Sequence, residues 1–531
     1  MLNRTKSQCR HPSIVNLLEF IKILRVEPFT FAMLFQYGLR GMPSFLMIQD
    51  KVCMQWYNTT YEYCRDLPST QEDSSGPGLY KTRILADAIQ MATYTTYVHL
   101  FPSLVYGLLI GAWIDRFNKG RKFLLIIFCL AGMMENVILI CLTVKFDSTP
   151  YINVFMTIPT LILAGGYIGP RVAVTHYITA TTPPKMIAIR FMIFEICMML
   201  ALPIGSALAG FIIVKPPTFL SGQTRNYTVI YIISFAIDVV CLLWVIVMVN
   251  ERIAQQQQKV VEVQLQEQCK NDVANTPTSD IPDDRNVHPF KLLFNRENAK
   301  SMLRIVSKKR PNKGRKQILL AILSLSILFG EQIALGSINS QFIQRVYYWN
   351  PDYTAYMGAI GMLIASTATM TIVPIMTRIL NVWDIPLAIV GFFVNLTANF
   401  IKGCWLSENA YYLAMAVGSI GGMASICTRS HIAKTVDRNE QGKMMAVMAI
   451  ADTISPVIAT TIFSQIFRVT VDKYPGTVFY VIAGLIFIPI FSMIWIFLRT
   501  ERQTIDGVNN HETNEQQEIN GETHIKDKSG Q

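Results

Sequence analysis

The sequence predicts an all-α polytopic membrane protein, with twelve transmembrane helices in two six-helix bundles. Three observations carry this prediction. Of the 531 residues, 51% are apolar and only 16% are charged, against roughly 25% charged in soluble domains. The apolar residues come in blocks of about 20, long enough at about 1.5 Å per residue to cross roughly 30 Å of hydrocarbon. Along the chain, six such blocks are followed by a long polar stretch and then six more. Backbone amides in lipid need partners within their own segment, so each block reads as a helix.

Residues 1–27 are polar and basic, without the pattern of a cleavable signal, and are expected to form a cytoplasmic N-terminal segment. Spans are expected at 28–48, 84–110, 122–144, 152–180, 190–214 and 229–250, giving an N-terminal bundle over 28–250. The block 152–180 is long and holds Pro159 and Pro170, so a tilt or kink is expected there. A cytoplasmic linker over 251–317 opens with a glutamine run, Gln255 to Gln258, and passes through Thr276-Pro277-Thr278-Ser279-Asp280. Its middle is expected to be disordered. Its basic end, Lys308-Lys309-Arg310, is expected against anionic headgroups. Spans at 318–342, 355–377, 385–404, 409–432, 444–467 and 477–498 form the C-terminal bundle, 318–498. The polar tail, 499–531, is expected to be disordered and cytoplasmic.

A net charge of +11 raises the question of nucleic acid. The basic residues instead collect between apolar blocks, as the positive-inside rule requires, and no nucleic-acid partner is expected. With both termini on one side, that side holds about 33 of the 47 lysines and arginines, the opposite loops about 11, and the spans three. Both termini and the linker are therefore expected in the cytoplasm. The sequons Asn58-Thr59-Thr60 and Asn226-Tyr227-Thr228 fall in loops on the other side and are expected to be glycosylated, whereas Asn395 lies within a span. Cys53 and Cys64 share the Asn58 loop, where a local disulfide is expected. The ten cysteines include no C-x-x-C pair and no histidine–cysteine cluster with zinc spacing, so no metal or other cofactor is expected.

Residues 107–122 end one span with the small residues Gly107, Gly111 and Ala112, then turn through Asp115, Arg116, Arg121 and Lys122. This resembles the loop G-x-x-x-D-x-x-G-R-R of the major facilitator superfamily, with Asn118 and Lys119 as a two-residue insertion. The resemblance implies that superfamily's fold, with Asp115, Arg121 and Lys122 as an inner gate. Four further segments resemble the solute carrier 46 family, which includes the proton-coupled folate transporter. They are Val26-Glu27-Pro28; Arg190-Phe-Met-Ile-Phe-Glu195; Phe329-Gly330-Glu331-Gln332; and Arg429-Ser-His-Ile-Ala-Lys434, followed by Glu440-Gln441-Gly442. The chain resembles a divergent member: Leu328 stands where the folate transporter has a histidine, Ile333 where it has an aspartate, and Gly166 where the family has a helix-4 acid. The resemblance implies a proton-coupling role for Glu195 and a part for Arg429 in substrate and proton handling.

The residues themselves lead to an overlapping set. A charge at mid-membrane costs several kcal/mol unless it is paired or hydrated. Arg40, Arg171 and Arg429 are candidate substrate-binding groups, and Glu195, Glu331 and Asp452 candidate proton-coupling groups. Glu135 and Asp238 read as structural acids, and His176 and His99 as structural or packing histidines.

The function expected is secondary active transport, proton-coupled, of a small organic anion. The family resemblance implies a folate-like, muramyl-peptide-like or cyclic-dinucleotide-like substrate. The alternative is a non-transporting receptor or sensor on a transporter fold, with the Thr276–Asp280 segment as a docking site. No G-x-x-x-x-G-K-[ST] run supports ATP-driven transport. No paired-acid or His/Asp constellation stands out, so no enzyme is expected. The termini show no convincing acidic dileucine signal, which favours the plasma membrane over the lysosome.

Overall fold

The structure, a computed structural model of the chain, describes residues 24–71, 80–116, 120–166, 168–182, 187–218, 223–249, 313–380, 382–436 and 441–500. The N-terminal segment up to residue 23, most of the linker and the tail from 501 lie outside the described residues, as do the expectations made for them. Every regular element among the described residues is helical. In order these are α1 Glu27–Trp56, α2 Tyr61–Asp66, α3 Lys81–Arg116, α4 Gly120–Val144, α5 Pro150–Val154, α6 Ile158–Ala164, α7 Ile168–Thr181, α8 Ile187–Ile213 and α9 Tyr227–Met248. After the linker come α10 Gly314–Val346, α11 Pro351–Pro374, α12 Asp384–Cys404, α13 Glu408–Gly418, α14 Met423–Thr435, α15 Gln441–Thr470 and α16 Thr477–Thr500. A π-helical turn, Ile375–Ile379, extends α11.

Among the described residues, ten helical segments are long and apolar enough to cross a membrane. The expected spans at 28–48 and 84–110 are helical as well, 30 and 36 residues long in α1 and α3. They are more polar: Gln36 and Arg40 interrupt α1, and Thr93, Thr95, Thr96 and His99 interrupt α3. Large apolar side chains such as Val240, Leu243, Val247 and Phe491 lie on the exposed surface, while Asn136, Ser234 and Asp238 are buried. A protein whose surroundings are hydrocarbon can have this distribution, because its exterior gains nothing from being polar.

The kink expected in 152–180 is a double break, between Val154 and Ile158 and after Ala164. Pro159 follows the first break and sits in the opening turn of α6, where its missing N–H leaves the Phe155 carbonyl without an α-helical partner. At the second break the chain turns at Gly165 and Gly166, whose φ values of +68° and +61° are left-handed. The expected span 409–432 is likewise divided, into α13 and α14.

The helices form two compact units, Met1–Asn295 with Ser337–Leu363, and Arg296–Gly336 with Ile364–Gln531. This partition differs from a cut at the linker. Within the first unit, the Gln49 amide donates to Gln344 Oε1 at 2.9 Å and accepts from Gln341 Nε2 at 3.0 Å, tying the Ser337–Leu363 segment to α1. The first unit is built around α1 and α8. A Cβ on Gly38 would stand 2.2 Å from the Leu202 carbonyl oxygen, and one on Gly205 would stand 2.1 Å from that of Phe35. Only glycine allows the two backbones to touch there. At one end of this unit, Val26, Phe29, Phe128, Tyr177 and Val245 form a core; at the other, Val52, Cys53, Cys64 and Ile84 form a second.

Candidate substrate and proton sites

The first unit encloses a cavity of about 320 Å³. Tyr37 and Arg40 reach it from α1, His99 from α3, Glu135 from α4, and Thr157 and Thr160 from the broken α5–α6 region; Phe45, Phe128 and Met156 add apolar wall. Its volume falls at the lower end of the range for small-molecule sites. Gly166 also lines it, so the position that lacks the family's acid is a cavity position. Among the wall residues, Arg40 and Glu135 face each other, Nη1 to Oε1 at 3.1 Å, with side chains 10% and 7% exposed. Thr160 Oγ1 donates to Glu135 Oε2. His99 Nε2 and Thr157 Oγ1 share a hydrogen bond of 2.8 Å.

Behind this wall the network continues. Arg40 Nη1 donates to Asn136 Oδ1 at 3.3 Å, and Asn136 Nδ2 donates to Asp238 Oδ2 at 2.7 Å. Glu135 and Asp238, read from sequence as structural acids, are thus linked to Arg40 at and behind the cavity wall. The sequence signal was present, since both lie mid-span. What was missing was the register that turns α4 and α9 toward α1.

A second buried pair lies at the end of the unit where α1 begins. Arg190 Nε sits 2.6 Å from Glu27 Oε1, and Arg190 Nη1 donates to Thr181 Oγ1 and Thr182 Oγ1 at 2.7 and 2.9 Å. Arg190 is therefore neutralised by α1. Glu195, five residues on, is exposed and makes no ion pair among the described residues. Arg171 is exposed too. The structure brings neither of these two candidates to the other or to Arg40. Of the gate residues, Lys122 Nζ donates to the Ile246 carbonyl at 2.7 Å, at the C-terminal end of α9. The Arg121 side chain is buried, and the Asp115 side chain lies outside the described set.

At the opposite end, Cys53 and Cys64 are disulfide-bonded. Asn58 is exposed between them with φ +50°. Asn226, expected as a second glycan acceptor, differs: it is 3% exposed, and its Nδ2 donates to Thr218 Oγ1 at 2.9 Å. Its sequon partner Thr228 is buried as well.

In the second unit, two further candidates meet. Arg429 Nη2 donates to Asp452 Oδ2 at 2.7 Å, with side chains 34% and 19% exposed. The guanidinium lies 5.9 Å from the Phe329 ring centroid, so Phe329-Gly330-Glu331-Gln332 and the Arg429 segment are neighbours. Glu331 turns away to α12. It is buried, its Oε1 accepts from Asn399 Nδ2 at 2.6 Å, and its Oε2 has no hydrogen-bond partner. Lys434 Nζ bonds Asp384 Oδ2 at 2.6 Å. No group of acids, histidines and cysteines among the described residues could hold a metal ion.

Charged side chains kept at mid-helix around a cavity belong to a solute pathway rather than a lipid-facing surface, which is the arrangement of a membrane transporter. The model of the Major Facilitator Superfamily matches residues 82–460, and the chain belongs to that superfamily. It is an integral membrane transporter of small molecules and not an enzyme. The Drosophila melanogaster protein named "Probable peptidoglycan muropeptide transporter SLC46" is 21% identical over 474 residues, covering 87% of this chain and 83% of the relative. The bovine proton-coupled folate transporter is 20% identical over 390 residues, 72% of this chain and 74% of the relative. The mouse lysosomal proton-coupled steroid conjugate and bile acid symporter SLC46A3 is 26% identical over 190 residues, only 34% of this chain and 39% of the relative. These identities fit a divergent relative of the solute carrier 46 proteins. Among solved structures, the human organic anion transporter MFSD10 superposes with a TM-score of 0.54 at 12% identity, covering 89% of this chain and 99% of that one. The xylose transporter XylE from E. coli gives 0.54 at 13%, covering 90% and 95%. Both show the fold.

Proposed function

We propose that the chain is a secondary active transporter that couples protons to the movement of a small organic anion. The observation that supports this most is the Arg40–Glu135 pair at the cavity wall. A guanidinium is the side chain best suited to a carboxylate or phosphate. Here it is held by a carboxylate rather than left bare. A proton arriving on Glu135 removes the negative charge opposite Arg40 and frees the guanidinium for the anion; release of the proton restores the pair and expels the substrate. The proton ends as an O–H on Glu135 and leaves by the same atom. In this reading Arg171 and Arg429 are further anion contacts, and Glu195, Glu331 and Asp452 further acids on the proton's route.

The names of the relatives supply substrate classes: muropeptides, folates, and steroid conjugates with bile acids. All three include anions with a bulky apolar or ring-bearing body. We place both termini in the cytoplasm, from the basic-residue bias, with Asp115, Arg121 and Lys122 as an inner gate. We favour the plasma membrane, although one relative is named as lysosomal. The test is uptake of radiolabelled muramyl dipeptide, folate and taurocholate into cells expressing the chain, at outside pH of about 5.5 and about 7.4. Faster uptake of one of them at the acid pH is expected. Uptake independent of the proton gradient would sink the coupling. Surface biotinylation checks the location.

A further inference from the structure

We propose that Glu135 and Asp238 act as one proton-binding dyad, joined through Arg40 and Asn136. This deepens, and rests on, the proton-coupled reading above. It puts the first unit's bound proton on α4 and α9, with the exposed Glu195 further along its route.

The geometry runs in one line. Glu135 Oε1 is 3.1 Å from Arg40 Nη1, the same nitrogen donates to Asn136 Oδ1 at 3.3 Å, and Asn136 Nδ2 donates to Asp238 Oδ2 at 2.7 Å. Asn136 is fully buried, and both of its amide atoms are used, the oxygen toward the cation and the nitrogen toward the acid. An amide is suited to that place because it accepts on one side and donates on the other. Asp238 is 2% exposed and Glu135 is 6% exposed. Gly132 makes room for the deeper acid, since a Cβ there would stand 2.8 Å from Asp238 Oδ2.

The charge balance is what calls for a proton. Two carboxyl groups are connected to one guanidinium. With both ionised, the cluster holds an excess negative charge in a low-dielectric interior, at a cost of several kcal/mol. One proton shared by the two acids makes the cluster neutral. The ionisable groups that lie around the dyad are Arg40 and Tyr37 of α1, His99 of α3, Cys129 of α4, and Tyr231 and Cys241 of α9. Arg40 is the cation joined to Asp238, through Asn136. Glu135 faces the cavity and exchanges the proton, taking an O–H bond there and losing it there. Asp238 lies behind the wall. When Glu135 is protonated, Asp238 keeps its charge and holds Arg40 in place through Asn136.

The test is infrared difference spectroscopy of the full chain in lipid vesicles, titrated between about pH 5 and about pH 9. The signal is the C=O stretch of a protonated carboxylic acid. Wild type is expected to show a titrating band with a component that Asp238→Asn and Glu135→Gln each remove. The double variant should remove nothing more. Asn136→Leu keeps both acids and cuts the bridge between them; its band should titrate at a midpoint different from that of wild type, because the two acids no longer share one proton through Arg40 and Asn136. Bands of full amplitude in both single variants, separate and additive losses, or an unmoved midpoint in Asn136→Leu would overturn the dyad. If Asp238→Asn cannot be recovered, the Asn136→Leu midpoint decides. A dyad that titrates as expected in a protein whose uptake ignores the proton gradient would instead sink the proton-coupled reading.

Discussion

Arg190 Nε lies 2.6 Å from Glu27 Oε1, with the two side chains 0% and 3% exposed. The pair joins the start of α8 to the start of α1, and Arg190 also holds Thr181 and Thr182 at the end of α7. Two short motifs, Val26-Glu27-Pro28 and Arg190 to Glu195, are thus halves of one contact.

Removing one member of that pair leaves a buried charge without its partner. Glu27→Leu and Arg190→Met should each destabilise the protein by about 3–5 kcal/mol. The double variant should recover most of the loss, because neither charge is then stranded. Thermal unfolding of the four forms in detergent measures the cycle. Equal, additive losses would show that the two residues act separately.

The glycine break beside the cavity should not tolerate a side chain at its first position. Gly165 has φ +68°, and a Cβ there would stand 2.5 Å from Tyr106 Cβ. The left-handed backbone alone costs roughly 1–2 kcal/mol for a non-glycine residue, and the clash adds to it. Gly165→Ala should therefore lower the unfolding temperature and surface amount markedly. Gly166→Ala, whose Cβ would meet Leu161 Cδ2 at 3.2 Å and Ser103 Oγ at 3.9 Å, should do so less. Comparison of the two by fluorescence-detected thermal stability is the check.

Arg429 and Asp452 are bonded yet partly open, at 34% and 19% side-chain exposure. Such a pair contributes about 1 kcal/mol or less to stability. Asp452→Asn and Arg429→Gln should thus fold and reach the membrane nearly as wild type does, while transport falls by tenfold or more, on the order of 1.4 kcal/mol in the transport barrier. Uptake normalised to surface protein separates the two effects. Wild-type uptake in both would reduce the pair to a structural contact.

Glycan should sit on Asn58 alone. Asn58 is exposed, whereas the Asn226 amide nitrogen, the atom a glycan would occupy, is buried and donates to Thr218. Asn58→Gln should abolish the glycosidase-sensitive mass, and Asn226→Gln should leave it unchanged. A mass shift that survives Asn58→Gln and disappears only in the double variant would show that the Asn226 loop opens during synthesis.

The order of helices was legible in the sequence because it depends on local chemistry. Blocks of about 20 apolar residues must be helical in lipid wherever they pack, and a described helix falls within each expected block, although 152–180 and 409–432 are broken. The motifs were legible for the same reason, as fixed residue types at short spacing. Pairing was not, because it depends on which way each helix is turned about its axis, and that is decided by close packing such as Gly38 against Leu202. From sequence, Glu195 stands out as a lone mid-span acid, but the helix carrying it turns Arg190 inward to Glu27 and leaves Glu195 outside. Glu135 and Asp238 look like bundle acids until α4 and α9 face Arg40. Pro159 and Pro170 mark the block as kinked, but the left-handed turn of its second break falls on Gly165 and Gly166. The sequence by itself determined the membrane-spanning class and the supply of charges. Only the tertiary structure decided which charge meets which, since a buried ion pair requires two helices to bring single atoms within about 3 Å.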